Sequence, residues 1–336
     1  MILNISVIIS QEAISHSDIT FENIIELEGE NLILEDIPLV PEALHIDDNS
    51  LLVLDIGGDN YFKVYSLSDF KLQGNYGPKG YGPGEIGYQP ELSFFNEDTI
   101  EFFDFQKSSI SRILIQETPP KVETIQVLHP DLIEAQQAIR LFNHLIAGSG
   151  SLYGNMYFFD TKTKTINFSP FLEITKTLPE QHINIFNEGE VTSTPDRKKI
   201  IYASRYFEHF DIFNYRGNKE YTYSNASLEN QVFMKNSRID YDNTNLYYST
   251  TYATESHFYL LYLGGNSYNN LLNKIETNEF TCEIQQFSLT GSPKNCYIID
   301  IPIKAFCVDE ENNRIIGINP LSEGMPLVSF NMDKPN

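Results

Sequence analysis

The stretch LLVLDIGGDNYFKVYSL, residues Leu51 to Leu67, joins an apolar run that ends in Asp55 to a second, alternating run through a polar turn. Val, Leu, Phe and Tyr favour extended backbone, whereas Gly, Asp and Asn tolerate the dihedral angles of tight turns. The stretch therefore predicts a β-hairpin.

The same pattern recurs along the chain. The further copies are TIEFFDFQKSSISRILI from Thr99, NMYFFDTKTKTINFSPF from Asn155, KIIYASRYFEHFDIFNYRG from Lys199 and NRIIGINPLSEGMPLVSFN from Asn313. Another unit with four strand-like runs lies between the last two copies. A repeat of about 45 residues is typical of propeller blades. The sequence therefore predicts an all-β chain, a six-bladed β-propeller with four-stranded antiparallel blades.

We expect one domain that spans residues 1–336. The predicted blades cover residues 42–76, 90–128, 136–170, 189–224, 236–300 and 304–331. The last blade has only three strands of its own, and the stretch ITFENIIEL, residues 19–27, is the obvious donor of a fourth. We therefore expect this N-terminal strand to join the C-terminal blade, which closes the ring and removes exposed sheet edges.

Helical patterns are scarce. Apolar residues occur at helical spacing only in Leu132–Phe142 (LIEAQQAIRLF) and in a short piece near Asn269–Lys274. We predict a helix at each of these two places and strands or turns elsewhere.

Composition limits the function. Acidic residues outnumber basic ones 46 to 23, so the formal charge is −23. A surface of this charge repels nucleic acid, and no basic run or long apolar run indicates a membrane partner or a membrane-spanning helix. The three cysteines do not define a disulfide framework, and we interpret them as buried free thiols.

A glycine-rich segment, YGPKGYGPGEIGYQP (residues 76–90), lies where the first blade passes to the second. It is similar to the linker of NHL repeats, and more closely the chain resembles TolB-like six-bladed propeller proteins of Bacteroidetes. The stretches 193–204, 258–266 and 284–318 are similar to later blades of that family. The resemblance implies a periplasmic or cell-surface protein of unknown function. Ile86 departs from the pattern, which usually has an aromatic residue there.

Lys79, Tyr81 and Glu85 on this segment are candidate ligand-binding residues. A loop held by glycine and proline presents side chains at little entropic cost. Packing between blades explains the glycines equally well, and we prefer that explanation.

Acidic residues supply the other candidates. Asp55, Asp104 and Asp160 each follow an apolar strand, so they are candidates for one cation or amine site, although acceptance of backbone N–H groups in their own turns is the stronger interpretation. Four acidic-amide clusters contain oxygen ligands of the kind that calcium prefers, namely Asp47–Asn49, Asp55–Asn60, Asp240–Asn245 and Asp309–Asn313. None has the full EF-hand spacing, so we interpret them as hairpin turns, with a bound calcium as the alternative. We predict no catalytic residue, no metal ligand and no other cofactor.

The function that we expect is binding. The lack of a recognised catalytic motif and the Tyr- and Asn-rich composition favour a monomeric, non-enzymatic propeller of the bacterial cell envelope that binds a protein, peptide or carbohydrate. The alternative is a metal-dependent hydrolase or lactonase with a divalent cation in the central channel. The apolar N-terminus MILNISVIIS lacks a basic region and a small-residue cleavage site, so it is not a convincing signal peptide.

Overall fold

The computed structural model describes residues 19–333, apart from residues 89, 133, 143, 151–152, 173–182, 184, 226–233, 236–237, 241, 278, 281 and 323. The apolar N-terminal stretch MILNISVIIS lies outside the described residues. The described chain begins with two short strands, β1 (Asn23–Leu27) and β2 (Gly29–Asn31).

Six antiparallel sheets follow, and in each one consecutive strands are neighbours. Blades one and two comprise β3 (Pro41–Asp47), β4 (Ser50–Asp55), β5 (Asn60–Ser66) and β6 (Leu72–Pro78), then β7 (Glu91–Asn96), β8 (Thr99–Asp104), β9 (Ser109–Leu114) and β10 (Lys121–Val127). Blades three and four comprise β11 (Gln137–Phe142), β12 (Leu145–Ser149), β13 (Met156–Asp160) and β14 (Thr165–Ser169), then β15 (Gly189–Ser193), β16 (Lys199–Ser204), β17 (His209–Asn214) and β18 (Lys219–Ser224).

A small hairpin of β19 (Met234–Lys235) and β20 (Arg238–Ile239) precedes blade five. Blade five comprises β21 (Asn245–Ala253), β22 (His257–Ser267), β23 (Cys282–Ser288) and β24 (Pro293–Ile299), with the helix α1 (Tyr268–Glu276) between β22 and β23. Blade six comprises β25 (Ala305–Asp309), β26 (Arg314–Ile318) and β27 (Leu327–Asn331). The predicted all-β, six-bladed propeller is confirmed.

The first strand of each blade lies nearest the axis. These inner strands are β3, β7, β11, β15, β21 and β25, and each contacts the next, with β25 returning to β3. We call the face with the blade-to-blade connections, such as 78–91, the linker face. The opposite face, with hairpins such as 47–50 and 96–99, is the hairpin face.

The ring closes differently from our prediction. Strand β1, within the predicted closing segment 19–27, pairs in parallel with β24 and extends blade five, so its assignment to the C-terminal blade is wrong. The fourth strand of blade six is β2, which pairs antiparallel with β27. Only Glu28 separates β1 from β2, so the chain passes directly from one blade edge to the next.

Two contacts fix this crossing. The side chain of Leu27 is buried in the core that blades five, six and one share. Gly29 donates its N–H to the carboxylate of Asp300 at 2.9 Å. A Cβ at Gly29 would lie 2.8 Å from the side chains of Val328 and Phe330, so the close approach of β2 to β27 requires glycine there.

One of the two predicted helices is wrong. The segment Leu132–Phe142 contains the end of a single 3₁₀ turn, Pro130–Leu132, and the strand β11. An inner strand packs against blades on both sides, so its apolar residues do not alternate, and pairing with β12 overrides the local helix preference. The second helix is confirmed as α1, with Ser267 as its N-cap. All three cysteines are free and buried, as interpreted.

Candidate functional site

The central channel is the candidate site, because all six inner strands line it. It has a volume of about 550 Å³ and runs between the two faces of the propeller. Its linker-face end is polar, and its middle is aromatic.

One polar side chain from each blade lies at the linker-face end of the channel. We call this group the polar ring; its members are Glu42, Glu91, Gln137, Glu190, Thr250 and Lys304. Four of them occupy the first or second position of an inner strand. The inner strands begin at this end of the channel, so their first residues meet around the axis.

Hydrogen bonds connect the ring. The Nζ of Lys304 donates to Glu42 Oε1 at 2.7 Å, and the hydroxyl of Thr250 donates to the carbonyl of Lys304 at 3.0 Å. Gln137 Nε2 donates to Glu190 Oε2 at 2.9 Å. Lys304 therefore compensates the charge of Glu42.

Arg205, immediately after β16, performs the same role for Glu190. Its Nη2 donates to Glu190 Oε1 at 2.7 Å. Burial lowers the pKa of Arg205, but the Glu190 carboxylate outweighs this effect and raises it above its usual value. Glu91 differs, because among the described residues no cation forms an ion pair with it.

The carboxyl group of Glu91 is held largely in its protonated form. Burial, and then the negative charge of Glu190, raise the pKa of Glu91 to about 8, although Arg205 and a hydrogen bond from Gln137 act in the opposite direction. Glu42 adds a smaller repulsion. A carboxyl group with this shift, in a channel, is a common sign of a functional site.

Aromatic rings and a histidine narrow the channel below the ring. The ring centroid of His45 lies 5.5 Å from that of Tyr252 and 6.5 Å from that of Phe94. Burial lowers the pKa of His45 to about 4, so this imidazole is neutral at ordinary pH. The middle of the channel is therefore uncharged.

The three predicted ligand-binding residues lie on the linker face, outside the lining of the channel. Lys79 Nζ donates to the carbonyl of Ile56 at 2.6 Å and lies 4.7 Å from the ring centroid of Tyr61. Glu85 Oε2 accepts the N–H of Gly82 at 2.7 Å. Tyr81 is 85% exposed. Lys79 and Glu85 thus hold the loop together, and ligand contact by the three residues stays a prediction.

Packing accounts for at least one glycine of this segment. Gly77 has a φ of 69°, and a Cβ there would lie 2.9 Å from Phe62 and 3.0 Å from Ile86. Ile86 is buried between blades one and two, and its aliphatic side chain fills the space between them.

We therefore expect Gly77→Ala to lower the free energy of unfolding by roughly 2 kcal/mol, from left-handed strain together with overpacking. Gly84→Ala is the matched control, because Gly84 also has a positive φ but no atom within 4 Å of its Cβ position. Urea unfolding of both variants measures the difference. An equal loss in the two variants would show that packing at Gly77 contributes nothing.

The three strand-end aspartates do not share one rim. Asp55 and Asp104 end the second strands of their blades, on the linker face, whereas Asp160 ends the third strand of blade three, on the hairpin face. The copy that begins at Asn155 is thus displaced by one strand relative to the others. Asp55 accepts the N–H groups of Val40 and Gly57 at 2.8 and 3.0 Å.

The other two aspartates also bind backbone. Asp104 accepts the N–H of Lys107, and Asp160 accepts those of Lys162 and Thr163. The turn interpretation is confirmed for all three aspartates.

The acidic-amide clusters lie in or beside turns. Residues 47–50 and 309–314 are hairpin turns on one face, and residues 55–60 form a turn on the other. The backbone carbonyl of Asp240 accepts the N–H groups of Asn243 and Thr244. Residue 241 of the third cluster lies outside the described residues. Within the described part of the chain, no three His, Cys, Asp or Glu side chains lie close enough to hold a metal ion.

No sequence motif marks the polar ring. Five of its members are scattered charged or amide residues that match no motif, and their meeting depends on the rotation between blades. One signal was available: predicted blades begin at residues 42, 90, 136, 189 and 304, each within one residue of a ring member. An alignment of blade starts would have shown the pattern.

The sequence matches a family model described as a TolB-like six-blade propeller over residues 32–311. No curated protein sequence matches the chain. In the described residues, no helix is long and apolar enough to cross a membrane.

The solved structures that are similar to this one include the following three. A DUF4221 family member from Bacteroides vulgatus is 10% identical with a TM-score of 0.57, over 90% of this chain and 95% of that one. A protein from Bacteroides fragilis assigned as exported is 11% identical with a TM-score of 0.54, over 92% and 99%. A calcium-binding protein, regucalcin, from Agrobacterium tumefaciens is 9% identical with a TM-score of 0.50, over 92% and 95%. At these identities the likeness concerns the fold alone.

Proposed function

Since the chain belongs to the TolB-like six-bladed propeller family, we propose that it is a non-enzymatic binding propeller of the bacterial cell envelope. Its ligand is a protein, peptide or carbohydrate that inserts a cationic group, such as an amine, into the polar ring. The likeness to a protein assigned as exported supports the envelope location.

The observation that carries this proposal is the Glu91 carboxyl. Glu42 and Glu190 each have a basic partner, Lys304 and Arg205, whereas Glu91 is the one carboxyl of the ring that pairs with no cation in the described chain. A cationic ligand supplies that partner and relieves the repulsion from Glu190.

Proton release tests the proposal. Because the pKa of Glu91 is about 8, binding of a cation at pH 7 must ionise it and expel a proton. We expect the affinity for butylamine, measured by calorimetry, to rise between pH 6 and pH 8 by at most about tenfold per pH unit. Glu91→Gln is expected to abolish both the binding and this dependence, and 1-butanol is the neutral probe of the same size.

Glu117→Gln is the matched control, since it removes a carboxylate from an exposed loop far from the polar ring. Butylamine binding that is independent of pH, or equal in wild type and Glu91→Gln, would contradict the cationic-ligand proposal.

The same carboxyl makes stability depend on pH. The folded-state pKa of Glu91 lies above the unfolded value of 4.5, so its contribution is complete below pH 4.5 and is lost as pH rises through about 8. Between pH 6.5 and pH 8 the protein should lose roughly 2 kcal/mol of stability through this group. Urea unfolding measures the loss, which Glu91→Gln should remove; an unchanged slope in that variant would assign the pH dependence to other groups.

The second candidate is a metal-dependent hydrolase or lactonase. The repulsion between Glu190 and Glu91 favours it, because two neighbouring carboxylates in a channel are potential ligands of a divalent cation, although no third metal-binding side chain lies close to them in the described residues. Calcium alone distinguishes the two candidates: a rise in melting temperature with added calcium that Glu91→Gln abolishes supports a metal site, and no rise leaves the amine proposal.

A further inference from the structure

A second cavity opens on the hairpin face, between blades two, three and four. Its volume is about 710 Å³, which is within the size range of small-molecule sites. Its lining residues include three arginines and three aromatic side chains, namely Arg112, Arg140, Arg197, Phe94, Phe142 and Tyr215. We call it the basic cavity.

Two of these guanidinium groups share one carboxylate. Arg140 Nε donates to Glu101 Oε2 at 3.1 Å, and Arg197 Nη2 donates to the same oxygen at 3.4 Å. Glu101 is almost completely buried, so its single negative charge leaves one positive charge of this pair uncompensated at the cavity wall.

The guanidinium of Arg112 also shares its carboxylate partner with a second cation. Arg112 donates from Nε and Nη2 to Glu123 Oε2 at 3.1 and 2.9 Å, and Lys121 binds the other oxygen of Glu123 at 2.6 Å. Again two cations share one carboxylate. The cavity therefore carries excess positive charge, although the whole chain has a formal charge of −23.

Arg112 and Arg140 each have N–H donors that are not used in these ion pairs. Within the described residues, the Nη1 groups of Arg112 and Arg140 have no acceptor, and both side chains line the cavity. An anion placed between them would accept charge-assisted hydrogen bonds from two planar donors.

Arg197 lies in a hairpin turn at the edge of the cavity. It has a φ of 58° in the turn between β15 and β16, a region that residues other than glycine rarely adopt. Its guanidinium lies 4.0 Å from the ring centroid of Phe94 and donates to the carbonyl of Arg140 at 2.9 Å. Asp48, Lys164 and Asn313 have similar φ values in other hairpin turns, so the turn accounts for this angle, and the contacts with Phe94 and Arg140 hold the guanidinium at the cavity.

The opposite wall is aromatic. Phe142 and Tyr215 pack edge to face with centroids 5.1 Å apart, and Phe142 is 36% exposed. His144 completes the rim. Glu97 and Asp98 lie on the hairpin beside the cavity, outside its lining. The wall suits a flat or apolar group attached to the anion.

We propose that the basic cavity binds a small organic anion, in which a carboxylate or phosphoryl group contacts Arg112 and Arg140 and an apolar portion contacts Phe142 and Tyr215. This proposal is independent of the channel, because the polar ring lies at the opposite face and selects the opposite charge.

Calorimetry at fixed ionic strength tests it, with phenyl phosphate and benzoate as charged probes and benzyl alcohol as the neutral probe. We expect one or both charged probes to bind and benzyl alcohol not to bind. The charged probe that binds more tightly identifies the anionic group. Arg112→Gln should weaken its binding about tenfold, because a charge-assisted hydrogen bond is lost.

Lys71→Gln is the matched control, since it removes one positive charge from an exposed loop of the same face, where Lys71 also pairs with a carboxylate. It should change the affinity less than twofold. Equal weakening by Arg112→Gln and Lys71→Gln, or absence of binding by both charged probes, would overturn the proposal.

Glu101→Gln gives an independent measurement. This variant leaves Arg140 and Arg197 without their shared carboxylate, so its melting temperature should fall. Inorganic phosphate should raise the melting temperature of the variant more than chloride does at equal ionic strength. If this variant does not fold, the comparison of anion binding by Arg112→Gln and Lys71→Gln still tests the proposal.

Discussion

Phe210→Ala is expected to lower the free energy of unfolding by about 3–5 kcal/mol, the usual cost of truncating a buried phenylalanine. Phe210 lies on β17 and is completely buried. Its ring centroid lies 4.9 Å from that of Phe287, 5.5 Å from that of Phe258 and 5.4 Å from that of Tyr223. The side chain thus joins blades four and five, and its loss leaves a cavity that neither rigid sheet can fill.

Urea unfolding followed by tyrosine fluorescence and by circular dichroism measures this loss, since the chain contains no tryptophan. Tyr81→Ala is the control, because Tyr81 is 85% exposed and its truncation should cost within about 0.5 kcal/mol. A loss below about 1 kcal/mol for Phe210→Ala would show that the contact between blades four and five contributes little to stability.

Leu27→Ala tests the closure of the ring. Leu27 ends β1 and is 2% exposed, with its side chain in the core next to blades five and six. Removing it should lower the free energy of unfolding by about 2–5 kcal/mol, because it takes apolar contacts from the strand that leads to the closing strand β2.

Ile24→Ala in the same strand is the control. Ile24 is 73% exposed, so the variant keeps the backbone pairing with β24 and loses almost no buried surface. We expect it to unfold at nearly the wild-type urea concentration. Similar small losses for both variants would mean that the crossing from β1 to β2 is not what holds the ring closed.

The repeats predicted the fold because they rest on local properties. Hairpins such as 51–67 alternate apolar strand residues with glycine, aspartate and asparagine turns, and no single hairpin sheet buries both its faces. Stacking around an axis follows from that, and α1 was recognised for the same reason, from helical spacing and good helix formers.

The errors concern places where strands from distant parts of the chain meet. The segment Leu132–Phe142 has a helical pattern, but blades on both sides bury it as an inner strand. The sequence pattern groups Asp160 with Asp55 although the two lie on different faces, because a strand-turn-strand pattern does not show which pair of strands in a blade it represents. Segment 19–27 is assigned to the wrong blade, because the outer edges of blade five and blade six both offer a strand for it to pair with.

The candidate sites depend still more on tertiary structure. Glu91 and Glu190 are about a hundred residues apart in the sequence, and each alone looks like a solvated surface carboxylate. Only the ring brings them together, shields them partly from water and raises the pKa of Glu91. The same holds for Glu101, Arg140 and Arg197, which three different blades contribute.

Local sequence patterns were enough to predict the class of fold, the number of blades, the turn roles of the aspartates and the burial of the cysteines, because each of these follows from neighbouring residues. How the ring closes, and which charges meet in the channel and in the basic cavity, became visible only in three dimensions. Those outcomes depend on the position of one blade relative to the next, and Coulomb and desolvation energies depend on distances in space rather than along the chain.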